Sequence, residues 1–343
     1  MIDSANECSH VRVYDTVYLP WLWPCVAVWV WDRAIRYGRI IYVSILPRIR
    51  KGTKAVVTYD SSSEMLRLDV TKFFQGKPAE PGLFYYVYTP GSLRGYESHP
   101  FTVCSWASAD PDSDLDSPRP DSDELKKEEL RVKNTSISSA SPTNNINHSF
   151  LIRPYGGYTQ RLRNGVASKS SLESGQTGEQ REETVFLEGP YGVKLDLSHY
   201  SNVLVVAGGS GITAAISHAY HLLSTGKTSI QVSWAVPQRP LVDDICRNEL
   251  AAVMRHPRLS MDVHITSGPD RKSDHTVDEP FTITYGRPNV YEIMRDAREK
   301  CERDLAIVTC GTPAMADACR AAVVRLLREP GLDVGYYNES MMW

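Results

Sequence analysis

The stretch NVLVVAGGSGIT, residues 202–213, decides the fold of the second half of this chain. An uninterrupted apolar run that ends in glycines and leads into a helical pattern is typical of a buried parallel strand, a tight turn and a helix N-terminus. Such glycines let a phosphate approach the bare backbone, where the first N–H groups of the helix face the anion. We therefore predict a phosphate-binding turn, with two hydroxyls as further donors, that consists of Gly208, Gly209, Ser210, Gly211, Ile212 and Thr213.

Strand and helix patterns continue to alternate after this turn, which predicts a doubly wound parallel α/β domain over residues 198–343. The predicted elements are a helix at 212–226, a strand at 229–236, a helix at 243–256, a strand at 259–266, a polar loop at 267–285, a helix at 289–301, a strand at 305–311 and a helix at 313–329.

Two positions at the carboxyl ends of these strands could contact a nucleotide. After the second strand the sequence reads AVPQRP, with Arg239 and no acid before Asp243. An arginine there accommodates a ribose 2′-phosphate and favours NADPH, although a solvated loop charge is the alternative. Cys310 and Gly311 in VTCGTP end a later strand, where they either line a ligand or pack as a small buried thiol and its neighbour.

In the first half of the chain the apolar residues follow a different periodicity. Short alternating or β-branched runs separated by Gly, Pro or Ser predict an antiparallel β-barrel over residues 51–197. The segment 109–148, with nine acids against five bases and few apolar residues, is predicted to be a disordered insertion in this domain. Strand character is expected again at 149–164 and 183–192, on either side of a second polar stretch.

Residues 1–50 are predicted to contain a short apolar helix with a basic flank. The run at 17–31 is uncharged and rich in Trp, but it is shorter than the roughly 20 residues that span a bilayer. A membrane-associated helix is favoured over a peripheral or buried one. Because the basic residues follow the run, we expect the cofactor domains on the cytoplasmic side; no secretory signal is expected.

Composition excludes several classes of function. A formal net charge of −3 without a basic block argues against a nucleic-acid partner. The seven cysteines include no C-x-x-C pair, so neither a disulfide framework nor a metal site is expected, and a reducing compartment fits best. His218 and His221 share a helix face, which we interpret as a solvated surface.

Six motifs in order resemble the flavin- and nicotinamide-binding half of the ferredoxin-reductase superfamily, and within it the ferric-chelate reductases related to NADPH oxidases. They are HPFT at 99–102, RPYGGYT at 153–159, GPYG at 189–192, AGGSGIT at 207–213, CGTP at 310–313 and YNESMMW at 337–343.

This resemblance implies FAD and NADPH as cofactors, with the electrons passing to a ferric or cupric acceptor such as a ferric chelate. It implies no catalytic acid, base or nucleophile, because the cofactors carry out the hydride transfer. The flavin and nicotinamide would be lined by Thr102, Cys310 and Trp343. The residues implied to hold the cofactors are His99, Pro100, Phe101 and Thr102 at the isoalloxazine, Arg153, Gly156, Gly157 and Thr159 at the FAD pyrophosphate, the GGSGIT turn at the NADPH phosphates, and Cys310 and Gly311 at the nicotinamide.

The chain departs from this family in its first residues. Members carry several membrane helices with paired haem-ligating histidines, whereas the only histidine before His99 is His10. We therefore expect no haem in this chain, and leave a haem-bearing partner open. We expect either a truncated relative of this family, or a sequence that is a fragment or a mispredicted gene product. Two alternative functions are an NADPH oxidase-like or diaphorase activity, and a non-catalytic nucleotide-binding paralogue. For Cys104, a packed core thiol is favoured over a flavin contact.

Overall fold

The chain folds into one antiparallel and one parallel sheet, in that order along the sequence. The computed structural model describes residues 20–35, 37–38, 53–73, 80–89, 97–108, 146–170, 179–267, 280–328 and 333–339. The predicted fold class, an antiparallel barrel followed by a doubly wound α/β domain, is confirmed, the barrel being a curled seven-stranded sheet.

The antiparallel sheet has the strand order β4-β3-β7-β1-β2-β6-β5. Buried and partly exposed residues alternate along its strands. In β1, the side chains of Ala55, Val57 and Tyr59 point into one core, and the residues between them lie partly exposed. Its elements are β1 (Thr53–Asp60), β2 (Met65–Phe73), β3 (Leu83–Tyr88), β4 (Ser98–Thr102), β5 (Ser105–Ser108), β6 (Ile146–Ile152), helix α2 (Tyr158–Ser170) and β7 (Glu179–Gly192).

The parallel sheet has the order β11-β10-β9-β8-β12-β13. The chain starts at the central β8 and builds outwards in one direction and then in the other, so a switch point lies between β8 and β12, where open α/β sheets bind ligands. Its elements are β8 (Asn202–Gly208), α3 (Ile212–Thr225), β9 (Ser229–Val236), α4 (Arg239–Arg247), β10 (Leu259–Ile265), β11 (Thr282–Tyr285), α5 (Val290–Glu299), β12 (Asp304–Cys310), α6 (Pro313–Leu326) and β13 (Asp333–Asn338).

Several predicted boundaries in the first half are wrong. The insertion predicted at 109–148 ends earlier, because β6 begins at Ile146 and pairs with β2 and β5. The remainder of that insertion, 109–145, lies outside the described residues. The strand expected at 149–164 ends at Ile152, and helix α2 follows because the Gly156–Gly157 turn starts a new element.

The second half also differs in detail from the prediction. Helix α4 begins and ends earlier than 243–256, because Pro240 favours a helix start and Asn248 caps the end. Strand β11 lies inside the predicted loop, where it pairs with β10. Strand β13 was not predicted, since its burial depends on pairing with β12.

The two sheets share one core. Met65, Cys104 and Leu151 of the first half pack with the apolar side chains of the second. Cys104 is fully buried there, which confirms the expected packed thiol, and burial raises its pKa well above the usual range. All cysteines in the described part of the chain are free thiols.

Beside this core, Arg67 of β2 contacts two acids of the second half. Its Nε lies 2.5 Å from Oε1 of Glu249, and its Nη2 lies 3.1 Å from Oε2 of Glu249 and 2.8 Å from Oδ2 of Asp244. Burial alone would lower the pKa of Arg67, but the hydrogen bonds that it donates to Glu249 and Asp244 outweigh this effect and raise that pKa. The arginine is therefore a permanent charge between the two halves.

Helix α1, residues 20–35, is exposed along its length. Trp21, Trp23, Trp29 and Trp31 each expose between 61% and 77% of their surface. In the part of the chain that the structure describes, no helix combines the length and the apolar character needed to cross a membrane.

Candidate functional site

The glycine turn lies where β8 meets α3. Gly208 ends β8, and Gly209–Gly211 form a single 3₁₀ turn in which Gly209 has a φ of +55°, a conformation that favours glycine. The indole of Trp234, at the end of β9, donates from Nε1 to the carbonyl oxygen of Gly209 at 2.9 Å. Because the first turn of α3 carries no acid, its N–H groups present a positive helix end beside the turn.

The side chains that follow the turn face inwards. Thr213 is buried, and its hydroxyl donates to the carbonyl oxygen of Ser210 at 3.2 Å. The role of Thr213 as a further hydroxyl donor at the phosphate site stays a prediction. The side chain of Ile212 is fully buried in the shared core, so Ile212 can offer a ligand only its backbone.

Cys310 and Gly311 lie against the turn at the end of β12. A Cβ on Gly211 would lie 2.2 Å from the carbonyl oxygen of Cys310, and one on Gly311 would lie 2.7 Å from Sδ of Met315. The thiol of Cys310 donates to the carbonyl oxygen of Glu339 at 3.7 Å. Burial, followed by the charge of Glu339, raises the pKa of Cys310 to about 12, so it is a neutral thiol near pH 7.

The HPFT strand presents two faces. Directly opposite residues of an antiparallel pair share a face, so Thr102 and Pro100 lie on the side of Phe84 and Tyr86. Phe101 lies on the other face and packs against the barrel core. The Phe101 and Thr102 side chains therefore cannot contact the same surface of a ligand.

The outer face is aromatic, and the inner face holds a stacked histidine. The Tyr191 ring lies 6.0 Å from that of Phe84 and 5.6 Å from that of Tyr86, centroid to centroid. His99 stacks on Tyr158 with centroids 5.1 Å apart. Partial burial lowers the pKa of His99, which favours the neutral ring at pH 7.

A second glycine turn precedes helix α2. Gly157 has a φ of +70°, and no atom lies within 4 Å of a Cβ built on Gly156 or Gly157. The Oγ1 of Thr159 accepts a hydrogen bond from the N–H of Tyr155 at 3.0 Å, which closes the turn. The start of α2 is thus open, positive and free of acidic residues in its first turn.

Arg153 extends from the first half towards the glycine turn of the second. It follows β6 in the first half, and its Nη1 lies 3.9 Å from a Cβ built on Gly209 in the second half. Its Nη2 lies 3.6 Å from an exposed carboxylate oxygen of Glu64. The guanidinium therefore approaches the turn before α3 from the first half.

Arg239 lies close behind the end of β9, as the first residue of α4. Its Nε lies 3.3 Å from Oδ1 of Asp243, one helical turn on. Both side chains are about one-third exposed, so this ion pair is screened by solvent and contributes little to stability.

His218 and Glu339 form a buried pair that the sequence analysis missed. His218 is fully buried, so its assignment to a solvated surface is wrong, and its Nε2 lies 2.9 Å from Oε1 of Glu339. The signal was present in the helix period, because Ala215, His218, Ala219 and Leu222 form one buried stripe.

The structure brings one group of the predicted residues together. The turn of Gly208–Gly211, Cys310 and Gly311 forms one cluster, and Arg153 approaches it from the first half. Thr102 is linked to this cluster indirectly, through β3. The N–H of Val103, the next residue, donates to the carbonyl oxygen of Leu83. A Cβ built on Gly82, which precedes Leu83, would lie 3.3 Å from Oε1 of Glu339. Trp343 lies outside the described residues, and no group of potential metal ligands occurs among those described.

Two family models match the chain. A ferric reductase NAD binding domain matches residues 200–324, which include the turn before α3 and the end of β12. An FAD-binding domain matches residues 38–116, which include the HPFT strand. The two halves are therefore an FAD-binding domain and a domain for a nicotinamide nucleotide.

Curated relatives are ferric reductases. The "Ferric reductase transmembrane component 4" of Saccharomyces cerevisiae is 24% identical over 98% of this chain and 46% of its own length. The "Probable cell surface ferric reductase kap2" of Aspergillus oryzae is 29% identical over 67% of this chain and 26% of its own length. This chain thus spans less than half the length of these relatives.

Among solved structures, a cytochrome P450 reductase of Amycolatopsis matches with a TM-score of 0.49 and 16% identity, covering 84% of this chain and 70% of that chain.

The close approach of Gly211 to β12 gives a testable prediction. Replacing Gly211 with Ala places a Cβ against the Cys310 backbone, so we expect the free energy of unfolding, measured in urea without cofactors, to fall by about 1–3 kcal/mol. Gly156→Ala, which enters open space, should change it by no more than about 1 kcal/mol. Equal values for the two variants would contradict the close approach.

Proposed function

Because the chain belongs to the ferric reductase family as its FAD- and NAD-binding half, we propose that it oxidises NADPH through bound FAD and passes the electrons to a ferric chelate. Its FAD-binding domain and its domain for a nicotinamide nucleotide together make it a flavin-dependent oxidoreductase. The choice of NADPH, the ferric acceptor and the residue roles below are parts of the proposal.

The nicotinamide nucleotide fits the second half. Its phosphates would lie at Gly208–Gly211, where the turn has no side chains and the start of α3 is positive. The hydrogen bond from Trp234 engages the Gly209 carbonyl oxygen of this turn. The nicotinamide would then lie towards Cys310 and Gly311, at the carboxyl end of β12.

The flavin nucleotide fits the first half. Its pyrophosphate would lie at Gly156 and Gly157, where open space, the start of α2 and Arg153 combine. Pro100 and Thr102 would face the flavin ring with their side chains. His99 and Phe101 would support that strand from its inner face.

The position of Arg153 carries the proposal. It follows the FAD-binding strands, yet its guanidinium approaches Gly209 in the nicotinamide half. In this proposal the two nucleotide sites adjoin at the boundary between the halves, so that the flavin and nicotinamide rings could be brought together there.

The reactive chemistry belongs to the cofactors, which when bound supply the hydride transfer. The protein orients them and excludes water. Cys310 suits this role: with its pKa raised to about 12, it lines the site as a neutral thiol that neither attacks nor accepts a proton. The neutral His99 ring likewise supports the flavin strand without adding charge.

The test uses the purified full chain loaded with FAD. We expect anaerobic NADPH to bleach the visible absorbance of the bound flavin and a ferric chelate to restore it. Bound flavin that NADPH does not reduce would contradict the proposal and favour a non-catalytic nucleotide-binding protein. Flavin that only oxygen re-oxidises, with superoxide as product, would replace the ferric acceptor by an NADPH oxidase-like activity.

Arg239 is proposed to bind the 2′-phosphate that distinguishes NADPH from NADH. Its Nε lies 3.3 Å from Oδ1 of Asp243, and both side chains are partly exposed. In Arg239→Gln we expect the KM for NADPH to rise about tenfold or more, because a charge-assisted hydrogen bond is lost, while the KM for NADH stays unchanged. Arg247→Gln, on the exposed end of the same helix, is the matched control and should alter neither constant.

Helix α1 is proposed to associate with a membrane. Four exposed tryptophans suit the bilayer interface, and Arg33 beside them suits anionic headgroups. The yeast relatives are named transmembrane components. We expect the chain to sediment with anionic phospholipid vesicles, and Trp21→Ser with Trp23→Ser to reduce that partitioning about tenfold. Val324→Ser with Leu327→Ser, exposed on α6, is the control; equal loss in both double variants would contradict the assignment.

A further inference from the structure

The buried histidine of α3 has one hydrogen-bond partner among the described residues. His218 is wholly enclosed, its Nε2 bonds to Glu339, and its Nδ1 meets no partner in the described part of the chain. Enclosing an imidazole and a carboxylate is costly, and an apolar pair of similar size would pack there at lower cost. We therefore attribute to this pair a role in positioning Glu339 rather than a gain in folding stability.

Glu339 stands where three parts of the molecule meet. Its N–H donates to the carbonyl oxygen of Thr309 at 2.9 Å, and its carbonyl oxygen accepts from the thiol of Cys310. Its Oε1 lies 3.3 Å from a Cβ built on Gly82 of the barrel. A displacement of Glu339 would consequently move the end of β12 and the border with the flavin half together.

Helix α3 carries the histidine that positions Glu339. It begins at the glycine turn, and its buried stripe packs into the core shared by both halves. His218 lies nearly two turns into this helix, so it transmits the position of the glycine turn to Glu339.

We propose that His218 is a positioning residue for the nicotinamide end of the site: its hydrogen bond to Glu339 holds the backbone against which Cys310 is set. The role in turnover rests on the proposed function, whereas the anchoring of Cys310 does not. Removing the hydrogen bond loosens the backbone at Glu339, exposes the thiol and misplaces the ring that transfers hydride.

The first experiment measures alkylation of Cys310 by iodoacetamide in the cofactor-free chain, by mass spectrometry. His218→Phe keeps a ring without the donor, and we expect Cys310 to react about tenfold faster, as local opening by one lost hydrogen bond implies. His218→Gln keeps an N–H donor and should react at close to the wild-type rate. Ser217→Ala, a neighbouring buried polar residue on α3, should leave the rate unchanged.

Cys319, fully buried on α6, is the internal reference. A rate at Cys310 in His218→Phe within about twofold of wild type would overturn the proposal, as would equal acceleration at Cys319, which indicates general loosening. In NADPH oxidation, His218→Phe should lower kcat about tenfold and change the KM little, because the phosphate turn is intact. If the wild type fails to oxidise NADPH, the proposed function fails, while the alkylation result still decides the anchoring.

Discussion

The contact of Arg67 with Glu249 and Asp244 is the constraint on which the site depends. The guanidinium of a barrel strand is held by two carboxylates of the α/β half, and all three side chains are between 10% and 15% exposed. Removing one partner from such a group costs about 3–5 kcal/mol, a large part of the 5–15 kcal/mol that stabilises a typical domain. The ion group thus specifies how the halves are arranged, while the shared core beside it supplies apolar burial.

The candidate site exists only at this junction. Arg153 of the first half approaches the glycine turn of the second, and a Cβ built on Gly82 of the barrel would lie 3.3 Å from Oε1 of Glu339, which follows the last strand. Neither half alone places a flavin beside a nicotinamide. Since hydride transfer depends steeply on the distance between the reacting rings, the interface is part of the proposed chemistry as much as the glycine turns are.

The sequence predicted what depends on local pattern. The strand, turn and helix of residues 202–213 were predictable because an apolar run, glycines and a helical period identify them without reference to the rest of the chain. It did not predict that Arg67 pairs with Glu249, 182 residues away, or that His218 pairs with Glu339, 121 residues away. Nor did it predict β13, whose DVGYYN is a strand because β12 lies beside it. Long-range pairing decides these features, and one sequence carries no direct signal of it.

The rate constant for reduction of the bound flavin by saturating NADPH, in Arg67→Met, tests the dependence on this junction most directly. We predict a fall of about tenfold or more with flavin still bound, because the halves lose their fixed arrangement. Arg67→Lys keeps the positive charge but loses the two-pronged guanidinium, so its rate constant should lie between those of Arg67→Met and the wild type. Arg320→Met, which removes an exposed ion pair on α6, should match the wild type. A folded, flavin-loaded Arg67→Met protein that reduces its flavin at the wild-type rate would contradict the account.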